Sequence, residues 1–275
     1  MSYIKNNKNF SKVTLMRIKE MKESGDKISM VTCYDSAFAR LIDPSPIDVV
    51  LVGDSLGNVM LGYDNTVRVT LDDMVHHTAA VARCLSRPFL VSDMPFGSYQ
   101  CSAEQAFQSA VRLIQGGMAE AVKLEGGKSI CPQVERIVGS GIPVVGHIGL
   151  TPQSIHVLGG YRVQGRGDEA AKQLVEDAIC LEKAGACMVV LELVPADVAV
   201  KVTEALSIPT IGIGAGPGTD GQVLVLQDLL GFNSEFKPKF LKRYADLGER
   251  IASALREYVQ DVSSGQFPSE DNSFS

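Results

Sequence analysis

The sequence predicts an α/β protein that folds as a closed (β/α)₈ barrel. Eight short runs of apolar, β-branched residues recur along the chain, and their continuous apolarity is typical of strands that are covered on both faces. Segments with helical spacing separate most of these runs, and strands that alternate with helices form parallel sheets with right-handed crossovers. Eight strands within about 200 residues fit a closed barrel. An open doubly wound sheet is the alternative, because periodicity alone does not distinguish the two.

The predicted elements follow one another in a regular order. The strands are predicted over 28–32, 47–53, 88–93, 120–125, 143–149, 187–192, 209–214 and 222–226. The clearest helices are predicted over 71–85, 102–117, 167–186 and 195–207, and several have Ser or Thr start signals and glycine stop signals. A helix over 14–26 is expected to close the lower end of the barrel, and 237–262 is expected to be helical. We predict a single domain over 1–275 with a disordered polar tail over about 263–275.

Composition and charge exclude several classes of protein. The 275 residues are 45% apolar and 21% charged, as in globular domains that bury a sizeable core. A net charge of -6 without any Lys/Arg-rich run argues against nucleic-acid or membrane-surface binding. No apolar stretch reaches the roughly 18 residues that span a bilayer, and the first residues lack a signal-peptide core. The six cysteines have no C-x-x-C spacing, so we expect them to be reduced core thiols. Together these observations predict a cytoplasmic protein that binds a small molecule.

Charged side chains follow the predicted strands at their carboxyl ends, where the active sites of such barrels lie. These residues are Asp54, Asp93, Lys123, Glu125, His147 and Glu192. Four carboxylates that converge on one mouth repel one another unless a cation lies between them. Oxygen ligands without a Cys or His cluster favour Mg²⁺, with cobalt, manganese or zinc as substitutes in vitro. Helix capping is the alternative for each acid alone, but acids on three successive strands favour a metal site.

Two residues at this mouth have alternative interpretations. Lys123 and Glu125 lie two apart on one strand, so both side chains project to the same face. A lysine in the mouth needs a negative partner, which is either a substrate carboxylate or enolate or a structural acid. His147 either donates to the substrate or bonds a neighbouring carbonyl group.

Two loops also have alternative interpretations. The glycine-rich run over 212–222 is similar to a phosphate-binding turn, although it matches no specific phosphate motif and its glycines equally suit close backbone packing. The loop over 158–170 contains Arg162 and Arg166 between glycines. It is either a mobile cover over the site or an oligomer contact.

Motifs along nearly the whole chain resemble those of one enzyme family. They include LVGDSLGNVMLGYDNT (51–66), DMPFGSY (93–99), KLEGG (123–127), PVVGHIGLTPQSIHVLGGYRVQGR (143–166) and LELVP (191–195). In these blocks the chain resembles the 3-methyl-2-oxobutanoate (ketopantoate) hydroxymethyltransferases, from about residue 12 to 262. The resemblance implies a barrel of the phosphoenolpyruvate/pyruvate superfamily that assembles as a homodecamer.

The resemblance also implies a reaction and a set of site residues. Family members transfer a hydroxymethyl group from 5,10-methylenetetrahydrofolate to 3-methyl-2-oxobutanoate through a metal-stabilised enolate. The products are 2-dehydropantoate, in the first committed step of pantothenate synthesis, and tetrahydrofolate. By resemblance, Asp54 and Asp93 hold Mg²⁺, Glu125 completes the metal site directly or through water, Ser55 and Lys123 bind the oxo acid, and Glu192 is the catalytic base. We also expect Asp54, Asp93 and His147 to contact the substrate.

Two other functions are weighed against this one. A superfamily lyase or mutase that acts on another 2-oxo acid would share the barrel and the acidic metal site, but the K-K-C-G-H loop of isocitrate lyases is absent. A non-catalytic barrel that serves as a binding protein gives no reason for Lys123 and four acids to lie at one rim.

Overall fold

The computed structural model describes residues 11–274. Its eight parallel strands close into a barrel in chain order, so the closed sheet is confirmed and the open alternative is wrong. Each strand lies within two residues of its predicted bounds. The strands are β1 (Ile28–Thr32), β2 (Val49–Val52), β3 (Phe89–Asp93), β4 (Ala121–Glu125), β5 (Val144–Gly149), β6 (Met188–Glu192), β7 (Thr210–Ile213) and β8 (Gly221–Leu224).

The helices confirm the clearest predictions and add short elements. All five helices predicted before β8 are present, and the additional ones are short segments within the connections between strands. The described helices are α1 (Leu15–Ser24), α2 (Ser36–Ile42), α3 (Leu56–Val59), α4 (Leu71–Ala82), α5 (Ala103–Gln115), α6 (Cys131–Val138), α7 (Ile155–Leu158), α8 (Asp168–Lys183), α9 (Ala196–Ala205), α10 (Leu226–Leu229) and α11 (Leu247–Ser264).

The helix predicted over 237–262 is wrong in its first part, because α11 begins only at Leu247. Pro238 disfavours helical backbone at the residue before it. The Arg243 guanidinium also donates to the carbonyl oxygens of Asn233 and Phe236, at 2.8 Å each. Side-chain bonds of this kind replace the helical backbone ladder in this segment.

The connection between β7 and β8 departs from the regular barrel pattern. Residues 214–220 contain no helix and run directly from the end of β7 to the start of β8. Gly216 and Gly218 lie so close to α9 that a Cβ atom at either would overlap Ala196 or Val200. These glycines therefore serve close packing, which was the alternative to a phosphate-binding turn.

Helix α1 closes the amino end of the barrel, as the sequence predicts. Its side chains Ile18 and Met21 are buried in an apolar cluster with the first residues of the strands, including Ile28, Phe89 and Met188. The Thr14 hydroxyl caps the start of the helix by accepting from the Arg17 N–H group, and Gly25 ends it with a φ of 78°. The lower end is thus filled by apolar side chains.

The chain divides into two compact units, one ending at Leu224 and the other starting at Val225. The second unit contains α10 and α11, and no residue of α11 is buried. The part of the tail that the structure describes is exposed and forms a 3₁₀ turn at Glu270–Asn272. The single domain and the disordered tail stay predictions.

Two smaller expectations concern the cysteines and the membrane. None of the six cysteines is disulfide-bonded, but only Cys33 and Cys187 are buried, so the expectation that all are core thiols is wrong for the others, most clearly for the exposed Cys101. Among the described residues, no helix has both the length and the apolarity that a bilayer crossing needs.

Candidate active site

The strand register brings the predicted site residues together at the carboxyl end of the barrel. Asp93 on β3 is paired with Lys123 on β4, and Glu125 is paired with His147 on β5. Because side chains two apart on a strand share a face, Lys123 and Glu125 project to the same side of β4. Asp93, Lys123, Glu125 and His147 are all buried, and Glu192 at the end of β6 is half-buried.

Asp54 and Asp93 are in direct contact. The backbone N–H group of Asp54 donates to Asp93 Oδ2 at 3.0 Å, and both side chains are buried. Asp93 Oδ1 lies 3.1 Å from Lys123 Nζ in an ion pair, but no donor is aligned with it in a hydrogen bond within the described residues. A buried carboxylate oxygen without an aligned donor has capacity left for a cation.

Burial and charge repulsion act together on the two aspartates. Burial raises the pKa of Asp54 well above its ordinary value, and the charges of Glu125 and Asp93 raise it further. Burial also raises the pKa of Asp93, although the Lys123 ammonium opposes this. Removal from water lowers the pKa of Lys123, but Asp93, Glu125 and Asp54 outweigh this effect and the pKa is raised overall. One buried ammonium thus faces three buried carboxyl groups, and the raised pKa values of the two aspartates mean that this site favours a further positive charge, either a proton or a metal ion.

Gln153 connects Asp54 with Glu125 through hydrogen bonds. The sequence analysis did not identify this residue. Its side-chain Nε2 donates to Asp54 Oδ2 at 2.8 Å and to the Met94 carbonyl oxygen at 2.9 Å. Its backbone N–H group donates to Glu125 Oε2 at 2.9 Å, and its Oε1 accepts from the Tyr99 hydroxyl at 2.9 Å. The only sequence signal was its place in the LTPQS block after β5, because a glutamine in a turn has no special pattern.

Both carboxylate oxygens of Glu125 have close protein neighbours. Oε2 accepts from Gln153, and Oε1 lies 3.4 Å from His147 Nδ1. Burial alone would raise the pKa of Glu125, but the contact with His147 and the Lys123 charge lower it below its ordinary value. Glu125 is therefore a charged partner within the cluster.

The fit of this site to a metal ion depends on its two aspartates. In the part of the chain that the structure describes, no three His, Cys, Asp or Glu side chains are grouped so that they could hold an ion by themselves. Mg²⁺ typically binds through one or two carboxylates and keeps water or substrate oxygens as its other ligands. Asp54 and Asp93 fit that kind of site, since Asp93 Oδ1 has the Lys123 ammonium beside it but no aligned hydrogen bond in the described residues.

His147 lies between the lysine and two carboxylates. Its Nδ1 is 3.0 Å from Lys123 Nζ, and its Nε2 is 3.3 Å from Glu192 Oε2. Burial and Lys123 lower the pKa of His147, whereas Glu125 and Glu192 raise it, to about 9 overall. A pKa of about 9 implies a positively charged imidazole at neutral pH. A charged imidazole, however, would place its Nδ1–H group against the Lys123 ammonium. The 3.0 Å contact favours a neutral ring with its hydrogen on Nε2, directed at Glu192.

Ser55 and the loop over 158–170 lie near the same mouth. The Ser55 hydroxyl is 2.8 Å from the Tyr34 hydroxyl, which the sequence analysis also missed. In the loop, burial raises the pKa of Tyr161, and the charges of Glu192, Asp54 and Glu125 raise it further. The Tyr161 phenol therefore lies within electrostatic reach of the acidic cluster, and the mobile cover stays a prediction. The oligomer contact at this loop stays an open alternative.

Comparisons with known proteins agree with this arrangement. A sequence model of the ketopantoate hydroxymethyltransferase family matches residues 12–270. The 3-methyl-2-oxobutanoate hydroxymethyltransferase of Syntrophus aciditrophicus is 53% identical over 96% of this chain and 97% of its own length. The enzyme of the same name from Heliobacterium modesticaldum is 54% identical over 96% and 95%.

Solved structures show the same fold at low sequence identity. A phosphonopyruvate hydrolase complex with oxalate and Mg²⁺ has a TM-score of 0.61 and 12% identity, over 94% of this chain and 92% of that one. A 2,3-dimethylmalate lyase of the PEP mutase/isocitrate lyase superfamily has a TM-score of 0.59 and 17% identity, over 95% and 91%. At this identity the likeness shows the barrel fold alone.

Proposed function

Because the chain belongs to the ketopantoate hydroxymethyltransferase family, it transfers a hydroxymethyl group to 3-methyl-2-oxobutanoate, and we propose that it acts through an enolate of this oxo acid. This reaction is the first step of pantothenate synthesis. We propose Mg²⁺ as the bound ion, with other divalent metals as substitutes, and 5,10-methylenetetrahydrofolate as the one-carbon donor. The observation that carries the proposal is the buried pair Asp54 and Asp93, whose negative charge Lys123 only partly balances.

In this proposal the buried side chains bind and orient the oxo acid. Asp54 and Asp93 would hold the ion, and Glu125 would act through water because its oxygens already face Gln153 and His147. A bound divalent ion supplies Lewis-acid stabilisation of negative charge on the keto oxygen, worth several kcal/mol. Lys123 would balance the negative charge of the substrate from its position beside Asp93, and Ser55 would donate to the substrate.

Glu192 is the proposed base that removes the C3 proton. A carboxylate must here remove a proton from a carbon acid that is much weaker than a carboxylic acid, and each pKa unit of difference costs about 1.36 kcal/mol. Stabilisation of the enolate oxygen is therefore required. His147 Nε2 lies 3.3 Å from Glu192 Oε2 without an aligned hydrogen bond in the described residues, and it would influence this carboxylate through its proximity. The C3 carbon would then attack the methylene carbon of the folate as one C–N bond breaks, and the electrons of that bond would pass to the folate nitrogen, which takes up the proton removed from C3. Water would replace the second folate nitrogen on this carbon: its oxygen becomes the hydroxyl group of the product, and its other proton goes to the released nitrogen.

We further propose a cytoplasmic homodecamer. The stoichiometry and the location depend on the family resemblance. Self-association is supported by the apolar side chains that α11 exposes, which are Ile251, Leu255, Tyr258, Val259 and Val262. Sedimentation of the purified protein tests the assembly, and a monomer at micromolar concentration contradicts it.

The lyase or mutase alternative is not favoured. Curated relatives at 53% and 54% identity carry the hydroxymethyltransferase name, whereas the hydrolase and lyase structures share only 12% and 17% identity with this chain.

An activity assay tests the proposed function directly. Purified protein is incubated with 3-methyl-2-oxobutanoate and 5,10-methylenetetrahydrofolate, before and after treatment with a chelator. We expect 2-dehydropantoate only with both substrates, loss of product after chelation, and recovery on addition of Mg²⁺. Product that persists after chelation contradicts the metal, and product without the folate contradicts the one-carbon donor.

A further inference from the structure

The residue after Glu192 has an unusual backbone conformation. Leu193 has a φ of 46°, and within residues 11–274 the only other non-glycine residue with positive φ is Met118. In this left-handed region Cβ crowds a backbone carbonyl oxygen, so a leucine adopts it only when its surroundings hold it there. Strained residues of this kind cluster at functional sites.

Three backbone hydrogen bonds hold the main chain around Glu192. The Leu193 N–H group donates to the Ile213 carbonyl oxygen at 2.9 Å, and the Glu192 carbonyl oxygen accepts from the Leu150 N–H group at 2.8 Å. These two bonds come from the ends of the neighbouring strands β7 and β5. The third runs from the Gln164 N–H group to the Leu193 carbonyl oxygen, at 2.9 Å. It comes from the loop over 158–170.

The loop over 158–170 is loosely packed at Gly159 and Gly160 and tightly packed at Gly165. Gly159 and Gly160 have φ values of 66° and 118°, and a Cβ atom on either would meet no other atom within 4 Å. Gly165, with a φ of 78°, packs so tightly that a Cβ atom there would overlap Leu174. Gln164 is therefore next to a fixed point, whereas Tyr161 follows the open part.

We propose that Leu193 is a positioning residue for Glu192, and that the hydrogen bond from Gln164 holds Leu193 in its left-handed conformation. Without this bond, the strained residue relaxes toward the extended region and displaces the peptide group that follows Glu192, which only the bonds to Leu150 and Ile213 then hold. The Glu192 carboxylate then leaves its position beside His147 Nε2. Loss of alignment of a base lowers the rate of proton transfer without removing the groups that bind the oxo acid. The inference rests on the proposed role of Glu192.

The first test removes the hydrogen bond. Gln164→Pro eliminates the backbone N–H donor, whereas Gln164→Ala keeps it. Exchange of the C3 proton of saturating 3-methyl-2-oxobutanoate is measured in deuterated solvent with Mg²⁺ present, and binding of the oxo acid is measured by calorimetry. We expect Gln164→Pro to exchange at least tenfold more slowly than Gln164→Ala, with dissociation constants within threefold of each other. Equal exchange rates overturn the role of the Gln164 bond.

The second test separates backbone conformation from side-chain packing and does not require the proline variant to fold. Asparagine tolerates the left-handed region, whereas the β-branched valine does not, although valine resembles leucine more closely in polarity. We expect Leu193→Asn to exchange the C3 proton at least fivefold faster than Leu193→Val. The opposite order assigns Leu193 a packing role and overturns the proposal.

Glu192→Gln distinguishes failure of this inference from failure of the proposed function. If Glu192→Gln exchanges the C3 proton at the parent rate, Glu192 is not the base, and the proposed mechanism fails. If Glu192→Gln loses exchange while the Gln164 pair and the Leu193 pair show no difference, only the positioning role of Leu193 is overturned.

Discussion

The two ends of the same eight strands use buried groups in opposite ways. At the amino end, Ile18 and Met21 fill the barrel, and the carboxylate of Asp220 accepts from Lys22 and Thr210 at 2.8 Å each. At the carboxyl end, buried acids outnumber the buried ammonium, and Asp93 Oδ1 has no aligned donor in the described chain. At the amino end the fold itself thus provides the partners of Asp220, whereas the carboxyl end leaves charge for a ligand to balance.

This difference shows why an acid that is mostly removed from water is not by itself evidence of function. The fold supplies the hydrogen-bond donors of the Asp220 carboxylate. Its removal is therefore expected to lower the free energy of unfolding. Asp54 and Asp93 lie beside Glu125 with Lys123 as the only buried ammonium named in this cluster. Burial and repulsion from neighbouring acids therefore raise the free energy of the ligand-free site. Barrels commonly place binding at the carboxyl end and stability at the amino end.

The largest expected effect is loss of the metal site. Asp54→Ala or Asp93→Ala should remove Mg²⁺-dependent binding of the oxo acid and lower activity by about three orders of magnitude, because Lewis-acid help is worth several kcal/mol. Calorimetry measures the binding, and circular dichroism checks that the barrel remains folded. Asp220→Ala is the matched control, since it should lower stability and leave binding intact. Unchanged Mg²⁺-dependent binding in both site variants would refute the assignment.

The next effect concerns the base. Glu192→Gln should keep oxo-acid binding but lower C3 proton exchange by roughly 10² to 10⁴-fold, the usual contribution of general base catalysis. The variant keeps the size of the side chain and removes its charge, so the comparison isolates proton transfer. Exchange in deuterated solvent is followed by proton NMR. Exchange at the parent rate would mean that another group is the base.

At the amino end, the expected effect is on stability alone. Ile18→Ala should lower the free energy of unfolding by about 2–5 kcal/mol, because it leaves a cavity under the barrel. Met16→Ala on the same helix is the control, since Met16 is 73% exposed and should change stability by at most about 0.5 kcal/mol. Urea unfolding measures both. A large loss of activity per folded molecule in Ile18→Ala would contradict the claim that the amino end of the barrel contributes to stability alone.

The smallest effect concerns the capping box that Thr70 and Asp73 form at the start of α4. The Thr70 hydroxyl accepts from the Asp73 N–H group, and Asp73 Oδ2 accepts from the Thr70 N–H group. Thr70→Ala should cost about 1 kcal/mol of unfolding free energy, as loss of a helix cap does. Activity per folded molecule should stay at the parent value.

The pH dependence of the same variant gives a second measurement. The hydrogen bond from the Thr70 hydroxyl lowers the pKa of Asp73, so the native state favours the ionised form. This contribution is present above the unfolded pKa of about 3.9 and is lost as pH falls through the lowered native value. The stability difference between Thr70→Ala and the parent should therefore narrow below about pH 4. Urea unfolding at pH 7 and pH 3 measures it, and a difference that widens in acid contradicts the cap.

Much of the fold followed from local patterns, and the failures have identifiable causes. The strands were recognisable because barrel strands are apolar on both faces, and α4 and α5 because they carry start signals. The helix predicted over 237–262 failed in its first part because the bonds of Arg243 to Asn233 and Phe236 are not encoded by helical spacing. Gln153 was missed because its partner Asp54 lies 99 residues away in the chain.

The sequence by itself determined the eight alternating strands and helices, the family and the set of charged residues that end successive strands, whereas the closure of the sheet was decided by the structure. These features depend on apolar periodicity and on motifs that are contiguous in the chain. Only the tertiary structure decided that Lys123 lies between Asp93 and His147, that Gln153 joins Asp54 to Glu125, and that Gln164 bonds the strained Leu193. Strand register and loop closure create these contacts, and both depend on pairing between residues far apart in the chain.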